Sequence, residues 1–209
     1  MRGVSAAMPV LEFYFDCSSP WTYLAFTRVH EVAARTGATI DWKPILVGGV
    51  FNAVNQGVYE RRAKPEPRQR DYYNKDMQDW ARLVGVKIAW PPKVFPVNAV
   101  KSMRGAYHAL DEGRLVPYAK AVFEAYWGDD RDISDPAVLA ECAAEAGLDV
   151  AAFGAALDDP KNKERLRAAT DELIARGGFG SPTMFIDGDM YFGNDRLPLV
   201  EAALKKAAA

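Results

Sequence analysis

Residues 10–25 read Val10-Leu11-Glu12-Phe13-Tyr14-Phe15-Asp16-Cys17-Ser18-Ser19-Pro20-Trp21-Thr22-Tyr23-Leu24-Ala25. Val10 to Phe15 is a short apolar and aromatic run, the pattern of a buried strand. Asp16-Cys17-Ser18-Ser19-Pro20 breaks it. Ser19 before Pro20 reads as a helix N-cap followed by proline in the first turn: serine can accept one of the unpaired N–H groups there, and proline has none to lose. From Trp21 to Thr36, Tyr23, Leu24, Phe26, Val29, Val32 and Ala33 recur at helical spacing, and Gly37 follows as a C-cap. Ala38 to Pro44 alternates like a second strand. Strand, helix, strand is a βαβ unit with its strands parallel.

Beyond it the strand pattern vanishes. Residues 48–68, with Gly48-Gly49, two asparagines and a charged stretch holding two prolines, read as a loop. Helical stretches are expected near 71–84, 97–112, 115–127, 135–146, 150–156 and 160–176, separated by turn signals such as Pro91-Pro92, Glu112-Gly113 and Asp158-Asp159-Pro160. Strands return at Thr183-Met184-Phe185-Ile186 and Asp189-Met190-Tyr191-Phe192, with Asp187-Gly188 as a hairpin turn between them. A helix from Leu197 to Lys206 closes the chain. The order is βαβ, a helical block, then ββα, an α/β layer architecture.

The chain has 209 residues, the length of one domain with room for a large insertion. Its 49% hydrophobic and 26% charged residues are the mix of a globular protein that needs neither disulfides nor metals for its core. A net charge of −2 argues against general nucleic-acid binding, which needs a basic surface. No segment approaches the roughly 20 apolar residues of a membrane helix, and no secretory leader is evident. Cys17 and Cys142 stand far apart with no CxxC, and the only histidines are His30 and His108. A four-ligand structural zinc site is therefore not expected, and free thiols fit the cytoplasm. Residues 1–7 read as a disordered extension, with Met8 a candidate start.

Three segments carry a resemblance: Phe15-Asp16-Cys17-Ser18-Ser19-Pro20-Trp21 after the first strand, Phe179-Gly180-Ser181-Pro182-Thr183-Met184-Phe185 before the third, and Tyr191-Phe192-Gly193-Asn194-Asp195-Arg196-Leu197 before the last helix. In this order and spacing the chain resembles the 2-hydroxychromene-2-carboxylate isomerases and, behind them, the kappa-class glutathione transferases and DsbA-like oxidoreductases. The resemblance spans Met8 to Lys206. It implies a thioredoxin-like fold built from 8–62 and 178–209, with an inserted helical domain at 63–177. It also implies glutathione as cofactor and a small aromatic carboxylate as substrate. Relatives are often dimers, so a homodimer is possible.

Ser19 would stand at a helix N-terminus, where the dipole and unpaired N–H groups favour negative charge. In the oxidoreductases a cysteine thiolate takes this place; here the serine hydroxyl could hydrogen-bond a thiolate brought by glutathione. The plainer alternative is a helix cap alone. Cys17 lies two residues too early and has no resolving partner, so dithiol chemistry is excluded and a structural thiol is expected. The resemblance implies a cis Pro182, with the Ser181 backbone pairing with the cysteinyl part of glutathione. It places Asn194 and Asp195 on the γ-glutamyl end, and Asn55 among the glutathione contacts. For the acidic aromatic substrate the candidates are Lys43, Lys75, Arg104 and Trp90, beside Trp80 and Trp127. The activity implied is glutathione-dependent isomerisation of 2-hydroxychromene-2-carboxylate to trans-o-hydroxybenzylidenepyruvate. The alternatives are a kappa-type transferase or peroxidase acting on other electrophiles and a non-catalytic thioredoxin-like binding module.

Overall fold

The structure, a computed structural model, describes residues 8–208; the proposed extension at 1–7 lies outside them. β1 (Val10–Phe15) pairs in parallel with β2 (Thr39–Pro44), with Val10 opposite Thr39 and Phe15 opposite Pro44. On its other side β1 runs antiparallel to β3 (Thr183–Ile186), which pairs antiparallel with β4 (Asp189–Phe192). The sheet order is β2-β1-β3-β4. The expected order of strands is the observed one, and the Asp187-Gly188 turn sits where sequence put it.

Helix α1 (Pro20–Thr36) starts on Ser19, whose backbone is extended and whose Oγ accepts from the Thr22 N–H. It ends on Gly37 in the left-handed region at φ 65°, a geometry that costs glycine nothing. Strand alternation sorts the layers. Phe13 and Phe15 meet Trp42, which also touches Phe26 of α1. Glu12 and Tyr14 point the other way, to Arg176, which follows α9 (Pro160–Ala175) and also lies 3.7 Å over the Phe185 ring.

The segment 48–68 corrects the sequence reading: it holds α2 (Val47–Val54) and α3 (Gly57–Ala63), and α4 (Pro67–Val84) begins inside it. Two forces outweigh the helix cost of Gly48-Gly49. Val47 and Val50 are buried, and the Val47 N–H is capped by the Asp16 carboxylate, 31 residues upstream. One of the two prolines also starts a helix: Pro67 follows Glu66, whose carboxylate accepts from the Gln69 N–H.

The helical block continues with α5 (Val100–Asp111), α6 (Leu115–Phe123), α7 (Pro136–Glu145) and α8 (Val150–Ala156), before α9. The helix expected over 115–127 departs from α geometry at Glu124–Gly128, a wider π turn in which the Asp129 N–H reaches the Glu124 carbonyl at 2.9 Å. This turn places Trp127, fully buried, under the Ser19 turn. A 3₁₀ turn at Asn194–Arg196 precedes the last helix, α10 (Leu197–Ala207).

Candidate functional site

The C-terminal end of β1 opens into a turn fixed from several sides. The Asp16 carboxylate accepts the Ser18 N–H with Oδ1 and the Val47 N–H with Oδ2, both at 2.8 Å. Its full burial pushes the carboxyl above its ordinary range, while the two N–H donors pull the other way. The Cys17 carbonyl accepts from the Trp127 indole at 2.9 Å, and the Cys17 N–H meets Met103 Sδ at 3.4 Å. Ser19 is thus presented at the N-terminus of a 17-residue helix by a backbone anchored to α2, α5 and the π turn.

Ser19 itself is 8% exposed. Its hydroxyl accepts the Thr22 N–H at 3.2 Å and donates to the Ser181 carbonyl at 2.9 Å. The Ser181–Pro182 peptide is cis. Ser181 Oγ accepts the Asp16 N–H at 3.1 Å and lies 2.7 Å from Thr22 Oγ1. Gly180 sits so close to Phe192 that an added Cβ would meet its ring at 2.7 Å, which explains why the loop before Ser181 carries glycine.

The Pro182 carbonyl accepts the Gly193 N–H at 3.1 Å and so ties this loop to the Asn194 turn. Asn194 is buried, and Arg28 donates to both its backbone carbonyl at 3.0 Å and its Oδ1 at 2.8 Å. Asp195 is about half exposed, 3.5 Å from Arg196. Asn55 caps the end of α2, and its amide donates to the Phe179 carbonyl at 3.1 Å. Ser19, Asn55, Ser181, Pro182 and Asn194 therefore share one hydrogen-bonded frame, although they come from four separate parts of the chain. Arg28 and Thr22, which complete the frame, carry no local signal in the sequence.

The candidates for the acidic substrate scatter. Lys43 reaches Asp41 at 3.2 Å and lines an open cavity of about 330 Å³ with Tyr107, Arg165 and Glu172. Lys75 is ion-paired with Asp79 on the exposed face of α4. Arg104 donates to the Leu157 carbonyl at 3.1 Å, beside Asp158. Among the described residues none of these three cations bonds to the turn. Trp90 does belong near it: its ring stacks 6.0 Å from Trp127 and contacts Phe95 and Tyr73. Tyr73 accepts from the Trp21 indole at 3.0 Å, and Trp21 is two residues from Ser19. An aromatic wall thus runs from the Ser19 turn into the helical block.

One cation stands over that wall. The Arg62 guanidinium of α3 lies 5.1 Å from the Phe95 ring centre and 5.5 Å from that of Phe51, and no ion pair engages it among the described residues. Its segment reads as a loop in sequence, so nothing there marked it.

Cys17 is fully buried, and burial, with Asp16 adjacent, pushes its thiol well above the ordinary range. Cys142 is likewise buried, its thiol pushed up to about 11. Neither is a thiolate at neutral pH. Cys17→Ala is expected to keep turnover within about twofold while costing about 1 kcal/mol of stability for the lost packing, which steady-state assays and denaturant melts would check. Among the described residues no group of His, Cys, Asp and Glu is placed to hold a metal ion, and no helix is long and apolar enough to cross a membrane.

The model of the DSBA-like thioredoxin domain matches residues 10–205. The chain is 36% identical over 199 residues to a 2-hydroxychromene-2-carboxylate isomerase of Pseudomonas putida, covering 93% of this chain and 94% of that one. It is 27% identical over 205 residues to the glutathione S-transferase kappa 2 of Caenorhabditis elegans, covering 91% and 89%. A solved structure of a 2-hydroxychromene-2-carboxylate isomerase superposes with a TM-score of 0.80 at 32% identity, covering 94% of this chain and 95% of that one.

Proposed function

This chain belongs to the DSBA-like thioredoxin family and within it to the 2-hydroxychromene-2-carboxylate isomerases, and from that premise we propose that it isomerises 2-hydroxychromene-2-carboxylate to trans-o-hydroxybenzylidenepyruvate with glutathione as cofactor. The observation that carries this reading is Ser19. It is a hydroxyl donor at the N-terminus of α1, with no acidic side chain in the first turn and no reactive cysteine near it.

The residues fit a bound thiol. The α1 dipole and the Ser19 hydroxyl favour an anion at one point, and the Ser181 carbonyl beside it can accept an N–H from a peptide-like ligand. Such an N–H would compete with Ser19 for that carbonyl and free the Ser19 proton for the sulfur. Asn55 and Asn194 stand on the same hydrogen-bonded frame, with Asp195 next to Asn194, and these three would hold the ends of the tripeptide. Glutathione supplies a nucleophilic thiolate, whose reversible addition makes a fixed double bond rotatable.

The substrate's aromatic ring would lie against Trp90, Phe95, Tyr73 and Trp21, with its carboxylate paired to Arg62. Arg62 carries this assignment in place of Lys43, Lys75 and Arg104, which are held elsewhere. Calorimetric titration tests the cofactor half: glutathione is expected to bind one site, and Asp195→Ala to weaken it. An absence of heat at millimolar glutathione would contradict the reading. Glutathione recycled without loss marks an isomerase; glutathione consumed marks a transferase like the kappa-class relative.

A further inference from the structure

Arg28 ties the helix that presents Ser19 to the turn that presents Asp195. Its guanidinium leaves α1 and reaches a residue 166 positions away. Nη2 donates to the Asn194 carbonyl at 3.0 Å and to Asn194 Oδ1 at 2.8 Å, while Nε donates to the Leu24 carbonyl of its own helix at 3.3 Å. The Trp80 ring of α4 covers the guanidinium, with 4.8 Å between its carbon and the ring centre. Asn194 is 3% exposed, so water has little room to replace these bonds, and a lost donor would leave buried acceptors unmet.

The local sequence makes the turn depend on this contact. An α-helix would send the N–H of residue 198 back to the Asn194 carbonyl, but residue 198 is proline and has none. Arg28 supplies a donor to that carbonyl instead. On the other side of the turn, Gly193 stands at φ 103°, and its N–H is bonded to the Pro182 carbonyl. An added Cβ there would meet Asp195 Oδ1 at 2.9 Å, so the Asp195 carboxylate folds back over the glycine. Asp195 is thus held from two sides, by the Pro182 loop through Gly193 and by α1 through Arg28 and Asn194. A lysine could not do the same work, because an ammonium lacks the planar fork that lies on an indole while bonding in two directions.

We infer that Arg28 is the positioning residue for the γ-glutamyl end of bound glutathione, fixing Asn194, and through it the Asp195 carboxylate, relative to Ser19 on the same helix. Arg28 itself touches no ligand. A tripeptide held by its thiol at Ser19 can meet Asp195 only while that spacing is kept, and a turn already ordered does not have to be ordered on binding. Arg28 therefore matters for thiols that carry a γ-glutamyl group and not for those that lack it. This inference rests on the proposed glutathione reading.

The test compares glutathione with cysteinylglycine, which lacks the γ-glutamyl group, in wild type and in Arg28→Met. Methionine keeps an apolar stem against Trp80 and removes the donors. Calorimetry is expected to show glutathione binding weakened about tenfold, the worth of a charged hydrogen bond. Turnover at saturating glutathione should stay within about twofold, and kcat/KM with cysteinylglycine as the thiol should not change. Arg28→Lys should fall between wild type and Arg28→Met. If wild-type protein binds no glutathione, the cofactor reading falls and this inference with it. If wild type binds and Arg28→Met binds as tightly, the role of Arg28 alone is overturned. A fall in turnover at saturating glutathione, or an equal loss with cysteinylglycine, overturns it too, since the whole site and not its γ-glutamyl end would then have moved. Should Arg28→Met fail to fold, Arg28→Lys decides: glutathione binding as tight as in wild type overturns the inference.

Discussion

Ser19→Ala is expected to cut glutathione-dependent turnover at neutral pH by about 10²–10³-fold, the loss typical of removing one donor aimed at developing or bound negative charge. The protein should still fold. The Thr22 N–H loses its cap and the Ser181 carbonyl loses a donor, so a stability cost of about 1 kcal/mol accompanies the change. A thermal melt measures that cost, and turnover at a temperature well below the melt isolates the chemical effect. The pH dependence separates the two roles of this serine. A donor that stabilises the thiolate matters most where an unassisted thiol is protonated. Raising the pH above about 8.5, the ordinary cysteine value, should therefore recover part of the lost rate in the variant and little in wild type. A variant defective at every pH to the same degree would mean that Ser19 acts by capping alone.

Arg62→Leu is expected to raise KM for the aromatic carboxylate by about 10–100-fold, the worth of one hydrogen-bonded charge pair, and to leave the affinity for glutathione unchanged. The side chain is exposed, so stability should move by no more than about 0.5 kcal/mol. Arg62→Lys should restore only part of the loss. A lysine keeps the charge but gives up both the planar fork and the stacking over Phe51 and Phe95. Added salt should raise KM in wild type more than in Arg62→Leu, because screening acts on a charge pair that the variant lacks. If KM is unmoved in Arg62→Leu, the carboxylate is held by another group, and Lys43, Lys75 and Arg104 return as candidates despite their present ion pairs and hydrogen bonds.

The elements legible in sequence were those whose determinants are local. Ser19-Pro20 and Gly37 bound α1 by capping rules alone, and Asp187-Gly188 sets the β3–β4 turn. Ser19, Ser181, Pro182 and Asn194 stand in three short motifs, so they could be named before their contacts were known. What sequence could not show depends on distant partners. Helix α2 carries two glycines in its first turn and still forms because Asp16 caps it from the end of β1, and no window around residue 48 contains that carboxylate. Arg28 is committed to Asn194 across 166 positions. Lys75 looks free as a residue type, yet Asp79 one turn later takes it. Among the described residues Arg62 has no such partner, but its place in a segment rich in charge and proline hid the helix that presents it.

The proposed reaction isomerises a chromene carboxylate through a thiol held at Ser19. The most direct measurement follows 2-hydroxychromene-2-carboxylate by its absorbance in the presence and absence of glutathione, with the glutathione counted before and after. Conversion to trans-o-hydroxybenzylidenepyruvate is expected only when glutathione is present, with many turnovers for each glutathione molecule and full recovery of the free thiol. Conversion at the same rate without glutathione, or loss of one glutathione for each substrate consumed, would contradict it.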